Sequence, residues 1–151
     1  SQADEQKNLK INRDYDPSIP EIHGDENLFI QATLNIIKNA QQALLVTENP
    51  SITIKSRVAY GQPINGNIHS TVCDVSIIDN GPGIPLDIQE QVFFPMVSTK
   101  EDGSGLGLSI SQDIIRIHGG AISFTTKSGE TIFSILMPIN IESNNKEVLS
   151  A

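Results

Sequence analysis

The segment Asp79-Asn80-Gly81-Pro82-Gly83-Ile84 constrains this chain more than any other, because of what flanks it. The run before it, Thr71 to Ile78 (TVCDVSII), alternates partly and is rich in Val and Ile, so it reads as a buried strand that delivers Asp79 at its end. Further on, Gly103-Ser104-Gly105-Leu106-Gly107-Leu108 opens an apolar, helix-like run. Each turn by itself is ordinary. Asn-Gly and Pro-Gly pairs punctuate any surface loop, and Gly103-x-Gly105-x-Gly107 is neither the Rossmann fingerprint nor a P-loop. Together, two glycine-rich turns bracketing a segment with few regular apolar positions form a candidate nucleotide site.

A third element upstream strengthens this reading. Between Asp25 and Val46 the apolar residues Leu28, Ala32, Ile36, Ala40 and Leu44 recur every fourth position, and Phe29, Ile37 and Leu45 widen the stripe. That spacing predicts an amphipathic helix, with Asp25 as N-cap and Asn49-Pro50 as its stop. Asn35 and Asn39 stand at i and i+4, about 6 Å apart along the axis and on one face. Asn is a mediocre helix former, so the pair is either a polar edge or a chemical feature. An amide oxygen offered to Mg²⁺, a hard cation that prefers oxygen ligands, is the chemical option.

The 151 residues fit one domain, 1–151, with a core at about 7–140 and a polar tail at 142–151. Cys73, the only cysteine, excludes an internal disulfide, and its apolar strand predicts a buried, inert thiol. The apolar runs are too short for a membrane span, and no signal-peptide pattern opens the sequence, so a cytoplasmic setting without membrane contact is expected. The net charge of −8, with no Lys/Arg cluster to offset it, argues against a nucleic-acid partner. An acidic domain that binds a polyanion such as ATP must rely on Mg²⁺, on backbone N–H groups and on a few cations, for which Lys38 and Lys100 are candidates.

The scaffold reads as five strands and three helices. Strands are expected near 8–13, at 51–58 and 71–78 across a Gly- and Pro-rich connection at 61–66, and at 121–126 and 131–137 around Ser128-Gly129. Helices are expected at about 25–46, 86–92 and 105–118. This pattern predicts an α+β fold: a mixed, mostly antiparallel sheet with helices on one face, a two-layer α/β sandwich.

In this order the motifs resemble those of the ATP-binding catalytic domain of bacterial sensor histidine kinases, in the superfamily shared with DNA gyrase B, Hsp90 and MutL. The N box matches at LNIIKNAQQAL, the G1 box at DNGPGI, an F-box-like segment at VFFPMVSTK (Phe93, Phe94, Pro95) and the G2 box at GSGLGLSI, with Gly129-Glu130-Thr131 as the final G-x-T element. The resemblance covers about Lys10 to Pro138, and YDPSIP at 15–20 with FFPMVSTK at 93–100 is most similar to the nitrogen-regulation, NtrB class. It implies the Bergerat ATP-binding fold, ATP and Mg²⁺ as ligands, and an ATP lid between Phe93 and Ser104. It also implies roles for individual residues. Asp79 would accept a hydrogen bond from the adenine amino group, with Gly81, Gly83 and Ile84 turning around the base and Thr131 nearby. Asn39 would ligate Mg²⁺, with Asn35 beside it toward the phosphates. Gly103, Ser104, Gly105, Leu106, Gly107 and Leu108 would bring backbone donors to the phosphates, and Lys100 would act from the lid. At least one of Phe93 and Phe94 is expected in the core.

One residue separates kinases from hydrolases in this superfamily. The gyrase branch carries a general-base Glu where this chain has Asn35, and a neutral amide cannot take a proton at working pH. Phosphoryl transfer to a nucleophile supplied from elsewhere is therefore expected, with an ATP-driven switch or silent nucleotide binder as the alternative. His23, in a loop, His69, beside a strand, and His118, before Gly119-Gly120 at a helix end, lack the setting of a phosphoacceptor. His118 is explained by the cation-friendly helix C-terminus. The resemblance then implies a dimeric helical phosphoacceptor domain as partner, a response regulator of the NtrC type, a PII-type signal protein, and a monomer when isolated.

Overall fold

The computed structural model describes residues 8–64, 66–95 and 107–139. Five strands, β1 (Lys10–Tyr15), β2 (Ser51–Ile64), β3 (Asn67–Asp79), β4 (Ala121–Lys127) and β5 (Glu130–Pro138), form one sheet in the order β1-β2-β3-β5-β4. Among the described residues, only β1 pairs in parallel, with β2, and the remaining pairs are antiparallel. The parallel pair follows from connectivity: helix α1 (Glu26–Ala43) lies between β1 and β2, and a crossover of that length returns the chain in the same direction. The second helix, α2 (Gly107–Ile117), precedes β4.

Helix α1 forms where the apolar stripe predicts it. The Asp25 carboxylate accepts the Leu28 N–H at 3.2 Å, capping the first turn. Ala32, Ile36 and Ala40 are buried on its inner face. They meet strand positions of one parity: Ile52 on β2, Cys73 and Ile77 on β3, Phe133, Ile135 and Met137 on β5, and Ile122 on β4. Full burial of a side chain such as Ile36 contributes about 1.5–3 kcal/mol. The α+β two-layer sandwich expected from the sequence is the architecture observed.

Several boundaries differ from expectation. The helix expected to reach residue 46 ends its α-helical part at Ala43 and continues as a 3-10 turn over Leu44–Val46. Leu86–Gln91 is likewise a 3-10 turn that buries no residue, because without an apolar face there is nothing to hold a full helix against the sheet. The first strand runs to Tyr15 rather than Arg13. The connection expected at 61–66 is mostly strand, since β2 and β3 continue pairing out to Ile64 and Asn67. Gly61, at φ +65°, and Pro63 sit in a stretch of β2 that no longer pairs with β1, the edge position where a strand tolerates such residues. His69 consequently lies within β3. Phe93 packs edge-on to Phe133 and tilted against Phe124, while Phe94 is exposed.

Candidate nucleotide site

Asp79 is the last residue of β3 and is registered with Thr131 on β5 and Ile52 on β2, so its side chain points to the helix-covered face. It is only 4 % exposed, as is Thr131 beside it. Its Oδ1 accepts the Gly81 N–H at 2.9 Å, a bond that orients the carboxylate. A Cβ on Gly81 would lie 2.9 Å from that oxygen, and 3.6 Å from both the Ala43 carbonyl and Leu44 Cδ2. The missing side chain at Gly81 thus makes room for Asp79 and lets this turn close on the end of α1.

The turn is also fastened to its other neighbours. Gly83 has φ +91°, and a Cβ there would come within 2.8 Å of the Lys127 carbonyl oxygen. The Ile84 N–H donates to Thr126 Oγ1 at 2.9 Å, and Thr126 Oγ1 shares a 2.8 Å hydrogen bond with Thr131 Oγ1. The Gly129 N–H donates to the Gly81 carbonyl at 3.0 Å. On the opposite side, Asn80 Oδ1 accepts the Ser51 N–H at 2.8 Å while Asn80 Nδ2 donates to the Asn49 carbonyl at 3.0 Å. Asp79 therefore leads from β3 into a turn that is bonded to the start of β2 and to the β4–β5 hairpin and lies close against the end of α1.

Asn80 and Thr126 are the two contributors that sequence reasoning overlooked. The signals were present but indirect: strand pairing of Ile52 with Asp79 brings Ser51 to Asn80, and pairing of Thr126 with Thr131 follows from a tight β4–β5 turn. The expected role for Gly81 and Gly83, clearance for a base, has a sufficient cause within the protein itself, since a side chain at either would strike protein atoms.

Asn35 and Asn39 share one face of α1, the first half-buried and the second exposed. Asn35 Nδ2 donates to the Gly107 carbonyl at 3.4 Å, which places the first turn of α2 beside it. The N-terminal end of a helix presents unpaired N–H groups and about half a positive charge, an environment that favours phosphate oxygens. Among the expected site residues, the structure groups Asp79, Gly81, Gly83, Ile84 and Thr131 around the end of β3 and the β4–β5 hairpin, and separately sets Asn35 against Gly107, with Asn39 one turn from Asn35 and Leu108 following Gly107. Lys100, Gly103, Ser104, Gly105 and Leu106 lie outside the described residues.

No group of three or more His, Cys, Asp or Glu side chains suited to a metal occurs among the described residues. An exposed amide such as Asn39 fits a different mode, in which Mg²⁺ takes one protein oxygen and draws its other ligands from water and nucleotide phosphates.

Residues 24–141 match the family described as Histidine kinase-, DNA gyrase B-, and HSP90-like ATPase. The chain belongs to that family. It is an ATP-binding catalytic domain of the histidine kinase type, and NtrB-like in sequence. It is 46% identical over 138 residues to the sensory histidine kinase/phosphatase NtrB of Vibrio alginolyticus, an alignment that covers 91% of this chain and 39% of the relative. The chain thus spans about two fifths of the length of the curated relatives it matches. Among solved structures, the catalytic domain of histidine kinase ThkA superposes with a TM-score of 0.70 at 30% identity, over 87% of this chain and 79% of that one. ThkA has also been solved in complex with the response regulator TrrA; there the TM-score is 0.67 at 28% identity, over 88% of this chain and 35% of that one. Full-length ShkA, solved in complex with AMPPNP, superposes with a TM-score of 0.68 at 26% identity, over 91% of this chain and 27% of that one.

His118 lies at the C-terminal end of α2, as expected, and is held there by specific bonds. Its Nδ1 lies 2.7 Å from the Ile114 carbonyl and its Nε2 accepts the Asp25 N–H at 3.0 Å, so the hydrogen sits on Nδ1 and Nε2 carries a lone pair. The ring is held by directed bonds to its own helix and to the cap of α1.

Proposed function

We propose that this domain transfers the γ-phosphoryl group of Mg-ATP to a histidine on a separate, helical phosphoacceptor domain, within a kinase of nitrogen regulation. The observation that carries the proposal is Asn35. Its Nδ2 is turned to the Gly107 carbonyl, at the end of α2 suited to phosphates, in the position where a hydrolase of this family needs a general base. An amide there can orient and donate but cannot deprotonate water.

Catalysis of phosphoryl transfer rests on positioning and on stabilising charge over the phosphate oxygens. In this reading Asp79 and Thr131 hold the adenine, and the N-terminal end of α2 with the G2 glycines receives the phosphates. Asn39 supplies an oxygen to Mg²⁺, which when bound neutralises phosphate charge. Lys100 adds a cation from the lid. The bond between the γ-phosphorus and the β,γ-bridging oxygen breaks, ADP leaves with the electron pair, and a nitrogen of the incoming imidazole forms the new bond to phosphorus. By its likeness to NtrB, the phosphoryl group then passes to a response regulator of the NtrC type, with a PII-type protein as a regulatory partner.

The test mixes this chain and labelled ATP with the helical, His-bearing domain as a separate polypeptide. The expected outcome is acid-labile, base-stable label on the partner, at a rate that rises with partner concentration, and almost none on this chain. Label retained on this chain would refute transfer in trans, and rapid hydrolysis without a partner would support a gyrase-type ATPase instead.

A further inference from the structure

Among the described residues, polar contacts link α1 and its cap to α2 and its end at several levels. At one end the Asp25 N–H donates to His118 Nε2 at 3.0 Å. In the middle Ser111, fully buried, donates its hydroxyl to the Ala32 carbonyl at 2.8 Å. At the other end Asn35 Nδ2 donates to the Gly107 carbonyl at 3.4 Å. The residue numbers rise on α1 as they fall on α2, so the helices are antiparallel, and the terminal contacts lie about 15 Å apart along α1.

We infer that His118 is a positioning residue for the nucleotide site, holding the far ends of α1 and α2 together so that Gly107 and Asn35 meet at the correct spacing. This rests on the function proposed above. The clamp is built on more than one bond. His118 Nδ1 is anchored on the Ile114 carbonyl of its own helix, and the ring meets Phe29 edge-on, with centroids 6.0 Å apart. A Cβ on Gly24 would come within 2.6 Å of His118 Cδ2, so the imidazole fills the space against the residue just before the α1 cap. The bond at the site end is the longest of the three, close to the limit for a hydrogen bond, and is the contact most sensitive to a change in helix alignment. With Ser111 as a buried pivot, release at His118 swings the phosphate end of α2 relative to Asn35. Asp79 is spared because it is fixed by β3 and by the β4–β5 hairpin.

The test uses calorimetry on the chain and two variants, His118→Ala and Gly24→Ala. The second displaces the ring without removing it and leaves the helices' own sequences intact. Each is titrated with ADP in a chelator, which reads the base pocket, and with Mg²⁺ plus a non-hydrolysable ATP analogue, which reads the α1–α2 junction. Both variants are expected to lose about tenfold or more in affinity for the Mg-bound analogue while ADP binding changes less than about twofold. An unchanged affinity ratio in either folded variant, or an equal loss of both ligands, overturns the inference and leaves the functional proposal standing. Failure of the unmodified chain to bind either nucleotide overturns both.

Discussion

At the scale of the residue, Asp79 shows how a short polar side chain acquires a task. Its burial and its bond from the Gly81 N–H leave the carboxylate in one orientation, where a charged acceptor has more effect than in water. Asp79→Asn preserves an oxygen for Gly81 but removes the charge, and hydrogen bonds to charged groups contribute about 1.5–3 kcal/mol. ADP affinity should fall roughly 10- to 100-fold, measured by calorimetry on a variant shown to be folded, and unchanged affinity would remove Asp79 from adenine recognition. Cys73 illustrates the opposite case, a reactive group made inert. Burial, with a smaller contribution from Asp74 and then Asp16, raises its pKa from 9.0 to about 11. A folded-state value above the unfolded one means this contribution is complete below pH 9.0 and is lost as the pH rises toward about 11, because only the unfolded chain can readily release the proton. Denaturant midpoints should decline across that window and flatten in Cys73→Ala, and thiol reagents at pH 8 should leave the native chain unlabelled. Both properties were partly legible in the sequence: a strand-end Asp before glycines, and a cysteine within an apolar run.

At the scale of the element, α1 was readable almost entirely, since a stripe every fourth residue, an Asp cap and a downstream Asn-Pro are local signals. The segment expected as a helix at 86–92 is helical over Leu86–Gln91 but in the tighter 3-10 form, since none of its residues is buried against the sheet. The extra length of β2 and β3 was hidden because Gly61 and Pro63 are loop residues by composition, and only cross-strand pairing overrides that preference. Helix α1 also carries a prediction. Asn39 is exposed and one turn beyond Asn35, so its truncation removes little packing. Asn39→Ala should weaken ATP binding in the presence of Mg²⁺ and leave binding in a chelator nearly unchanged, as read by paired titrations. An equal loss in both conditions would mean a packing role rather than ligation.

At the scale of the whole molecule, one sheet and one core cluster hold both α-helices together with the described part of the site. A chain of this size with a single core should unfold in one cooperative step, with calorimetric and van't Hoff enthalpies in agreement. Two separable transitions would show that the helical layer and the sheet are independent units. The order of the motifs and their spacing along the chain were enough to determine the fold class and the family, because strand alternation, helix periodicity and glycine turns are properties of neighbouring residues. What the sequence could not express is proximity. That Asn80 fastens the G1 turn to Ser51, that Thr126 holds Ile84, and that His118 clasps the cap of α1 are contacts across 29, 42 and 93 residues of chain. Such pairings depend on where the sheet register and the helix crossing bring distant backbone groups, and only the packed tertiary structure decides them.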